Sequence, residues 1–559
     1  LIGWWRRWRK FWNSVDDAAL AVYFKTLAGQ DYDDSLFVPG GFPGMKPGAL
    51  PAMKHERLAI FRADASVAIG AGHVARCLSL AGWLTANGWS CVLARGRGAS
   101  DALLPSLPPG VTTVEFDCDA AAEPGELAAL WPGGCDLFVV DHYRRGAGYE
   151  QACRPWARRI LVIDDLADRP HDCEFLLDPA ACRVAADYTG LVPKSSQLLL
   201  GPAYLPLRSG FAAHRRQALA RRAMAEKPRR LLLSFGATDC DNVTTAVLDI
   251  LAQSQHRLAV DILLGAGAPH LDSLRRKLEA LPFPARLHIA IEDVAGLLAA
   301  SDIAIGAGGG SAWERCCLGL PSIVTCTAGN QHAVAESLRA TGAALVLEDA
   351  DALSSERLVE ALQGLILDVA ARRRMARAAA CLCDGLGAQR LAIALDPPVA
   401  SDGTAIRLRP AASADAELLL AWQRDPRTRL HSRNPAAPQD GEHHAWFTSR
   451  LGDPECLLNI IMHGDAAAGV VRLDSRAEDG VYEISIYVAP ECWRLGIGSA
   501  ALAQARALLP GAEIWAEVLH DNNASHALFD SAGYRAEAGW YVSRPDAERA
   551  LSDALGSPA

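Results

Sequence analysis

The chain has 559 residues and a net charge of −10, with 50% hydrophobic and 21% charged residues. That length exceeds one hydrophobic core and predicts about three or four domains. The acidic balance excludes a general electrostatic pull toward nucleic acid or an anionic membrane, and no apolar run is long and clean enough to span a bilayer. The 15 cysteines are scattered, several inside apolar segments (Cys77, Cys91, Cys316, Cys317). No CxxC pair or Cys/His metal spacing occurs, so they read as reduced thiols of a cytoplasmic protein, and no metal site is expected.

Residues 1–56 read as a poorly structured N-terminal extension. "WWRRWRKFW" (4–12) interleaves aromatics with Arg6, Arg7, Arg9 and Lys10. It fits a membrane-surface anchor. It better fits an appendage or a mis-set translation start, because the chain opens with Leu and Met53 directly precedes "KHERLAIFRADAS". In neither case is stable membrane insertion expected. "VPGGFPGMKPGALP" (38–51) has the Gly/Pro content of a linker.

From residue 58 short apolar runs alternate with helical patterns. "LAIFRAD" leads to a helix from Gly72, then come "CVLARG", "LFVVDHY" (137–143), "ILVIDDL" (160–166) and "EFLLDP" (174–179). Apolar runs ending in polar residues and separated by helices predict parallel strands in βαβ units. Ligands bind outside the carboxyl ends of such strands, where Asp64, Asp141, Tyr143 and Asp165 fall. The basic, Ala-rich stretch 214–230 predicts a connecting helix. A second series follows at 231–239, 259–267, 286–293, 302–314, 321–327 and 343–349, with helical sequence to about 395. "DPPVASDGT" (396–404) is a second linker, and the pattern then changes to that of a smaller α+β domain. The expected domains are thus 57–215, 228–395 and 405–547. The fold class is α/β: two Rossmann-like domains in a glycosyltransferase-B-type arrangement, followed by the α+β domain.

The second Rossmann-like half carries the candidate nucleotide site. "GAGGGSAWE" (306–314) places Gly309, Gly310 and Ser311 where a strand ends and a helix begins, so that backbone N–H groups can bond a diphosphate. Glycine turns are common in any α/β protein. Glu314 adds a carboxylate able to accept both ribose hydroxyls, though it also fits a solvated first-turn glutamate. Gly236, in "SFGATD", makes a second glycine turn facing the same cleft.

"RADASVAIGAGHVARCLSLA", "VVDHY", "VIDDLADRPHDCEFLLDP", "LLGPAYLPLR", "FGATDCDN", "GAGGGSAWERCCLGLPSI" and "NQ" (330–331) occur in this order. Together they resemble the UDP-sugar hydrolases of pseudaminic acid biosynthesis, relatives of the MurG-type transferases, over about residues 57–395. The resemblance implies hydrolysis of UDP-2,4-diacetamido-2,4,6-trideoxy-β-L-altropyranose, by inverting attack of water at C1, to UDP and the free sugar. It assigns catalysis to His73, in a G-x-G-H-x-x-R motif with Gly70, Gly72 and Arg76. A near-neutral imidazole suits the removal of a proton from water. Tyr143 matches a tyrosine near the reacting sugar, or packs beneath the cleft. Asp64 either orients His73, holds a sugar hydroxyl or caps a turn. Arg76 contacts phosphate or pairs with an acid. Asn330 and Gln331 suit sugar hydrogen bonding but equally suit a turn. Gly236, Gly309, Gly310, Ser311 and Glu314 are the implied UDP contacts. The hydrolase requires no cofactor.

The C-terminal segment carries "YEISIYVAPECWRLGIGSAALAQA" (482–505). Arg494, Leu495, Gly496, Ile497, Gly498 and Ser499 form a loop between a strand and a helix, where successive N–H groups can face a pyrophosphate. "NNASHALFDSAGYR" (522–535) follows. These segments resemble the acetyl-CoA-dependent GNAT acetyltransferases, and "IRLRPAASADAELLLAWQRDPRTRLHS" with "EHHAWF" resembles the subgroup acting on nucleotide-linked amino sugars. The resemblance implies acetyl-CoA as cosubstrate, Asn522 on the cofactor side and a UDP-4-amino sugar as acceptor. Glu483 is the candidate base, acting through water, or else an exposed strand residue. Phe529 departs from the family: a tyrosine that protonates the leaving thiolate often stands there. Water or Tyr534 would have to replace it.

Two alternatives stand beside a bifunctional enzyme with UDP-sugar and acetyl-CoA as its partners. One is a B-type glycosyltransferase using a UDP-sugar. The other is a hydrolase fused to a non-catalytic acetyl-CoA-binding module, which Phe529 favours.

Overall fold

The computed structural model describes residues 57–66, 70–97, 104–254, 257–347 and 355–545. The expectations for residues 1–56, including the basic-aromatic stretch, lie outside the described residues, as do residues 546–547.

The first sheet has seven parallel strands: β1 (Arg57–Ala63), β2 (Trp89–Gly96), β3 (Val111–Phe116), β4 (Leu137–Asp141), β5 (Ile160–Ile163), β6 (Phe175–Asp178) and β7 (Gln197–Leu200). Their order is β3-β2-β1-β4-β5-β6-β7. The order reverses between β1 and β4, which opens a crevice at their carboxyl ends. β4 and β5 are buried along their whole length, as covered parallel strands must be. β3 and β7, the two edges, are not among the strands that the sequence predicts. β3 is interrupted by exposed Thr112 and Glu115 and lacks the continuous apolar run that marks a central strand. β7 is four residues long and only partly buried, although its leucine run (198–200) matches that of the central strand β8 (Arg230–Ser234).

The second sheet repeats this plan. β8 (Arg230–Ser234), β9 (Ala259–Leu264), β10 (Ala285–Ile289), β11 (Ile303–Ala307), β12 (Ser322–Thr325) and β13 (Leu345–Leu347) are parallel in the order β10-β9-β8-β11-β12-β13. Its reversal lies between β8 and β11. The connecting helix spans Ser209–Met224.

The helix Gly387–Leu395 lies at the end of the second series, yet Ala388, Leu391, Ala394 and Leu395 pack into the core of the first sheet. The chain thus crosses back before leaving the α/β halves. Among the described residues Val369–Leu395 is the one stretch long and apolar enough to cross a membrane; it is interrupted by a non-helical segment, and 61% of its apolar 18-residue window is buried in the protein. Gly387 makes the crossing possible, because a Cβ there would lie 2.1 Å from the Leu205 carbonyl oxygen. Gly387→Ala is therefore expected to cost at least about 2 kcal/mol by overpacking, read by chemical denaturation; a cost below about 0.5 kcal/mol, the range of neutral surface changes, would contradict this packing.

The third sheet comprises β14 (Ile406–Pro410), β15 (Cys456–His463), β16 (Ala466–Ser475), β17 (Val481–Val488), β18 (Glu513–Glu517), β19 (Arg535–Glu537) and β20 (Trp540–Ser543), in the order β14-β15-β16-β17-β18-β20-β19. All neighbours are antiparallel except β17 and β18. That parallel pair holds only where Val481–Glu483 faces Glu513–Trp515. Beyond Glu483 the two strands part and open a slot. This domain is docked on the α/β halves rather than merely tethered: Leu386 belongs to its core and Ala212 and Ile393 pack against it.

Candidate active sites

The first candidate site forms where β1 and β4 diverge. His73 is the second residue of the helix Gly72–Ala86 and only 8% exposed. Its Nδ1 lies 2.5 Å from Oδ1 of Asp141, the last residue of β4. A carboxylate only accepts, so Nδ1 carries the proton of this bond; in the neutral ring that leaves the lone pair on Nε2. Arg76, one turn later, donates to both Asp141 oxygens at 2.5 and 2.7 Å and to Asp165 at 3.2 Å. Burial alone would raise the Asp141 carboxyl; the Arg76 guanidinium and His73 overcome this and hold it well below the usual carboxylate range.

This depressed carboxyl has a pH consequence. A group lowered in the folded state adds stability above its unfolded value, about 4 for aspartate, and that stability is lost as pH falls toward the folded value. Acidification from pH 5 to 3 should therefore cost the protein more stability than it costs an Asp141→Asn variant. Equal losses in parallel denaturant titrations would contradict the assignment.

Tyr143 sets its ring edge-on to His73, with centroids 4.6 Å apart. Asn330, from the second half, donates to the Tyr143 hydroxyl at 2.9 Å. Burial, reinforced by Asp165, pushes this phenol up, so it stays neutral at physiological pH. Gly70 takes φ 74° and exchanges hydrogen bonds with Ser66, a turn for which glycine is suited. Gly72 stands in open space.

One expectation is corrected. Asp64 does not orient His73; Asp141 does. Asp64 instead pairs with Arg62 at 2.7 Å, accepts from the Gly96 amide at 2.9 Å and faces His142. It lines a separate polar cavity of about 360 Å³ together with Arg62, Glu123 and Arg145. Arg76, expected on phosphate or on an acid, is committed to two acids. Asp141 is visible in the sequence as the acid that ends a buried run, but nothing local tells which strand-end carboxylate turns toward the helix.

In the second half Gly236 follows β8 with φ 100°, and Gly308–Gly310 follow β11, so both turns stand at the strand-order reversal. Gly310 faces open space, and Gly309 has only the Gln331 amide nearby. Gln331 accepts from the Thr327 amide at 2.9 Å, bracing the neighbouring loop. Glu314 is ion-paired to Arg208 at 3.1 Å.

In the third domain the loop after β17 passes through two left-handed residues, Arg494 (φ 66°) and Gly496 (φ 75°). The helix Ile497–Leu508 starts there. Such turns present backbone amides to an anion, and with the β17/β18 slot they fit an extended pyrophosphate-bearing thioester. The Leu495 carbonyl accepts from the Ser401 amide at 2.9 Å, Ile497 is buried and Ser499 is exposed. Gly498 has a packing role: a Cβ would lie 3.2 Å from the Leu528 side chain. Asn522 caps the next helix by accepting from the Ser525 amide at 3.0 Å. Glu483 lies where the strands part and meets Arg433 at 3.0 Å and Arg476 at 3.5 Å. Arg433 also pairs with Glu517 across the slot.

Phe529 is buried against Tyr534 and Tyr541, with ring centroids 5.1 and 5.6 Å away. The Tyr534 hydroxyl is buried and makes no hydrogen bond among the described residues. Burial pushes its phenol up to about 12.

Residues 405–535 match the family model of the acetyltransferase (GNAT) domain, and residues 232–391 that of the glycosyltransferase family 28 C-terminal domain. The UDP-2,4-diacetamido-2,4,6-trideoxy-β-L-altropyranose hydrolase of Campylobacter jejuni is 27% identical over 43% of this chain and 80% of its own length. The chain is homologous to all three. The spore coat polysaccharide biosynthesis protein SpsG of Bacillus subtilis is also 27% identical, over 36% of this chain and 58% of its own length, so the chain spans a little over half of that relative. Acinetobacter baumannii MurG is a structural neighbour at 14% identity and a TM-score of 0.44, covering 61% of this chain and 99% of its own.

Proposed function

We propose that residues 57–395 hydrolyse a UDP-sugar and that the GNAT segment acetylates a UDP-4-amino sugar one step earlier in the same biosynthesis. The observation that carries the first half is the Asp141–His73 pair, which fixes the ring tautomer and leaves Nε2 as a base beside Tyr143 and Asn330. Nε2 takes a proton from water as the water oxygen attacks C1. The bond from C1 to the diphosphate oxygen breaks, and UDP leaves with the electron pair. Asp141 stabilises the imidazolium that forms. The glycine turns after β8 and β11 hold the diphosphate, and Glu314 the ribose. Asn330 and Tyr143 contact the sugar. The identity with the Campylobacter hydrolase supports the altropyranose as substrate, with no metal or cofactor in the step. The protein acts in the cytoplasm on this reading.

In the GNAT segment Arg494 to Ser499 and Asn522 would hold acetyl-CoA, which supplies the activated acetyl group. Glu483 takes the proton of the amine through water as nitrogen attacks the thioester.

The test is reaction in ¹⁸O-water with UDP-2,4-diacetamido-2,4,6-trideoxy-β-L-altropyranose. The label is expected on C1 of the released sugar, with inversion. Label in the UDP phosphate would mean attack at phosphorus and overturn the reading.

A second reading of the GNAT segment has Phe529 in its favour. With an apolar ring buried where a proton donor is expected, the segment binds acetyl-CoA without transferring the acetyl group. Calorimetric binding of acetyl-CoA with no product from any UDP-4-amino sugar would establish it.

A further inference from the structure

A cation lies under the Gly308–Gly310 turn. Arg315 is 2% exposed. Its Nη2 donates to the carbonyl of Ala307, the last residue of β11, at 2.6 Å, and its Nη1 to the hydroxyl of Ser311 at 3.3 Å. One guanidinium therefore ties both ends of the three-glycine turn. Its passage depends on Gly306, where a Cβ would lie 2.8 Å from Arg315 Nη1 and 2.4 Å from the Ser234 carbonyl oxygen.

This charge is not neutralised by the protein. Among the described residues no carboxylate lies within ion-pair distance of Arg315, and neighbouring Glu314 is turned to Arg208. Among the described residues the Nε proton has no acceptor. Burial pushes the guanidinium down to about 10, so it remains charged at neutral pH. Other buried arginines without a close acid differ in how they spend their donors: Arg372 bonds the carbonyls of Glu226, Leu365 and Ile366. Arg215 bonds the carbonyls of Cys317, Ala380, Cys383 and Pro454, and Arg222 those of Ala218, Leu298 and Ser301. Most of these carbonyls lie at the C-terminal ends of helices, where a cation is favoured. Arg315 bonds a single carbonyl and lies beneath a turn whose outer side is open.

We propose that Arg315 is a positioning residue for a nucleoside diphosphate: it holds the turn and Ser311 in place, and its charge is offset by the diphosphate that the turn receives. The inference rests on the UDP-sugar reading of this half. A buried charge in low dielectric acts on a nearby anion more strongly than one in water does. Its loss should weaken diphosphate binding while leaving recognition of the nucleoside intact.

The experiment compares UDP and uridine binding by calorimetry to the full chain and to Arg315→Gln and Arg315→Lys. Arg315→Gln is expected to raise the UDP Kd about 10- to 100-fold, the range for a charged hydrogen-bonding group, and to leave the uridine Kd within about threefold, with Arg315→Lys recovering most of the UDP affinity. Equal weakening of UDP and uridine would show a merely structural role, and no weakening of either would remove the role altogether; each overturns the proposal. If Arg315→Gln fails to fold, Arg315→Lys decides. A buried lysine loses its charge more readily than arginine, so its UDP affinity relative to wild type should fall between pH 6.5 and 8.5, and a constant ratio overturns the proposal. If wild type binds uridine-containing ligands not at all, the UDP-sugar reading itself fails, an outcome distinct from the others.

Discussion

Asp141→Asn is expected to lower UDP release about 10³- to 10⁴-fold, nearly as far as His73→Ala. The magnitude follows from what a carboxylate does behind a catalytic imidazole: it fixes the tautomer and stabilises the imidazolium. An asparagine keeps the shape, but its amide can donate to Nδ1. The proton then moves to Nε2, and the base loses its lone pair. The Arg76 guanidinium would also face a neutral partner in place of a carboxylate it now holds through two hydrogen bonds. Steady-state rates of UDP formation measure the effect. A variant within about tenfold of wild type would show that the bond to Asp141 is structural, since general base catalysis is worth at least about 10². Asp64→Asn provides the contrast: its carboxylate serves Arg62 and the Gly96 amide, so the change should leave the rate of UDP release within about tenfold of wild type.

Glu483→Gln is expected to slow acetyl transfer to a UDP-4-amino sugar about 10²- to 10⁴-fold, the contribution of a positioned general base. The side chain stands where β17 leaves β18, beside the slot that fits the thioester. Acetyl-CoA affinity, measured separately, should hold, because the pyrophosphate loop lies beyond the far end of the strand. Unchanged transfer would move the base elsewhere. Loss of both binding and transfer would mean that the pairs with Arg433 and Arg476 maintain the slot itself.

The central strands were legible in the sequence because parallel strands buried on both faces read as unbroken apolar runs, as in "LFVVD" and "IAIGA". The edge β3 was not, since partial exposure admits polar residues; β7 was missed as a strand of only four residues, although its leucine run matches that of central β8. The Gly/Pro-rich composition of 396–404 suggests a linker, yet Ala400 sits in the core of the third domain. Nor was the return of Gly387–Leu395 to the first core legible, since its pattern specifies a helix with one apolar face and not which sheet that face meets. In the first site the structure brings His73, Arg76, Tyr143 and Asn330 together. The choice of Asp141 over Asp64 depends on the reach across from β4 to the helix after β1, a tertiary relation that spacing does not carry. Phe529 stood out in the sequence as a missing donor. Its burial between two tyrosines shows how the position is accommodated: the ring serves the core.

The measurement that bears most directly on this account is UDP release from UDP-2,4-diacetamido-2,4,6-trideoxy-β-L-altropyranose by the purified chain with no acceptor present, beside His73→Ala. The account predicts sustained release by wild type and a loss of about 10³-fold or more in the variant. Release only on addition of a sugar or lipid acceptor, or release indifferent to His73, would contradict it and favour a glycosyltransferase.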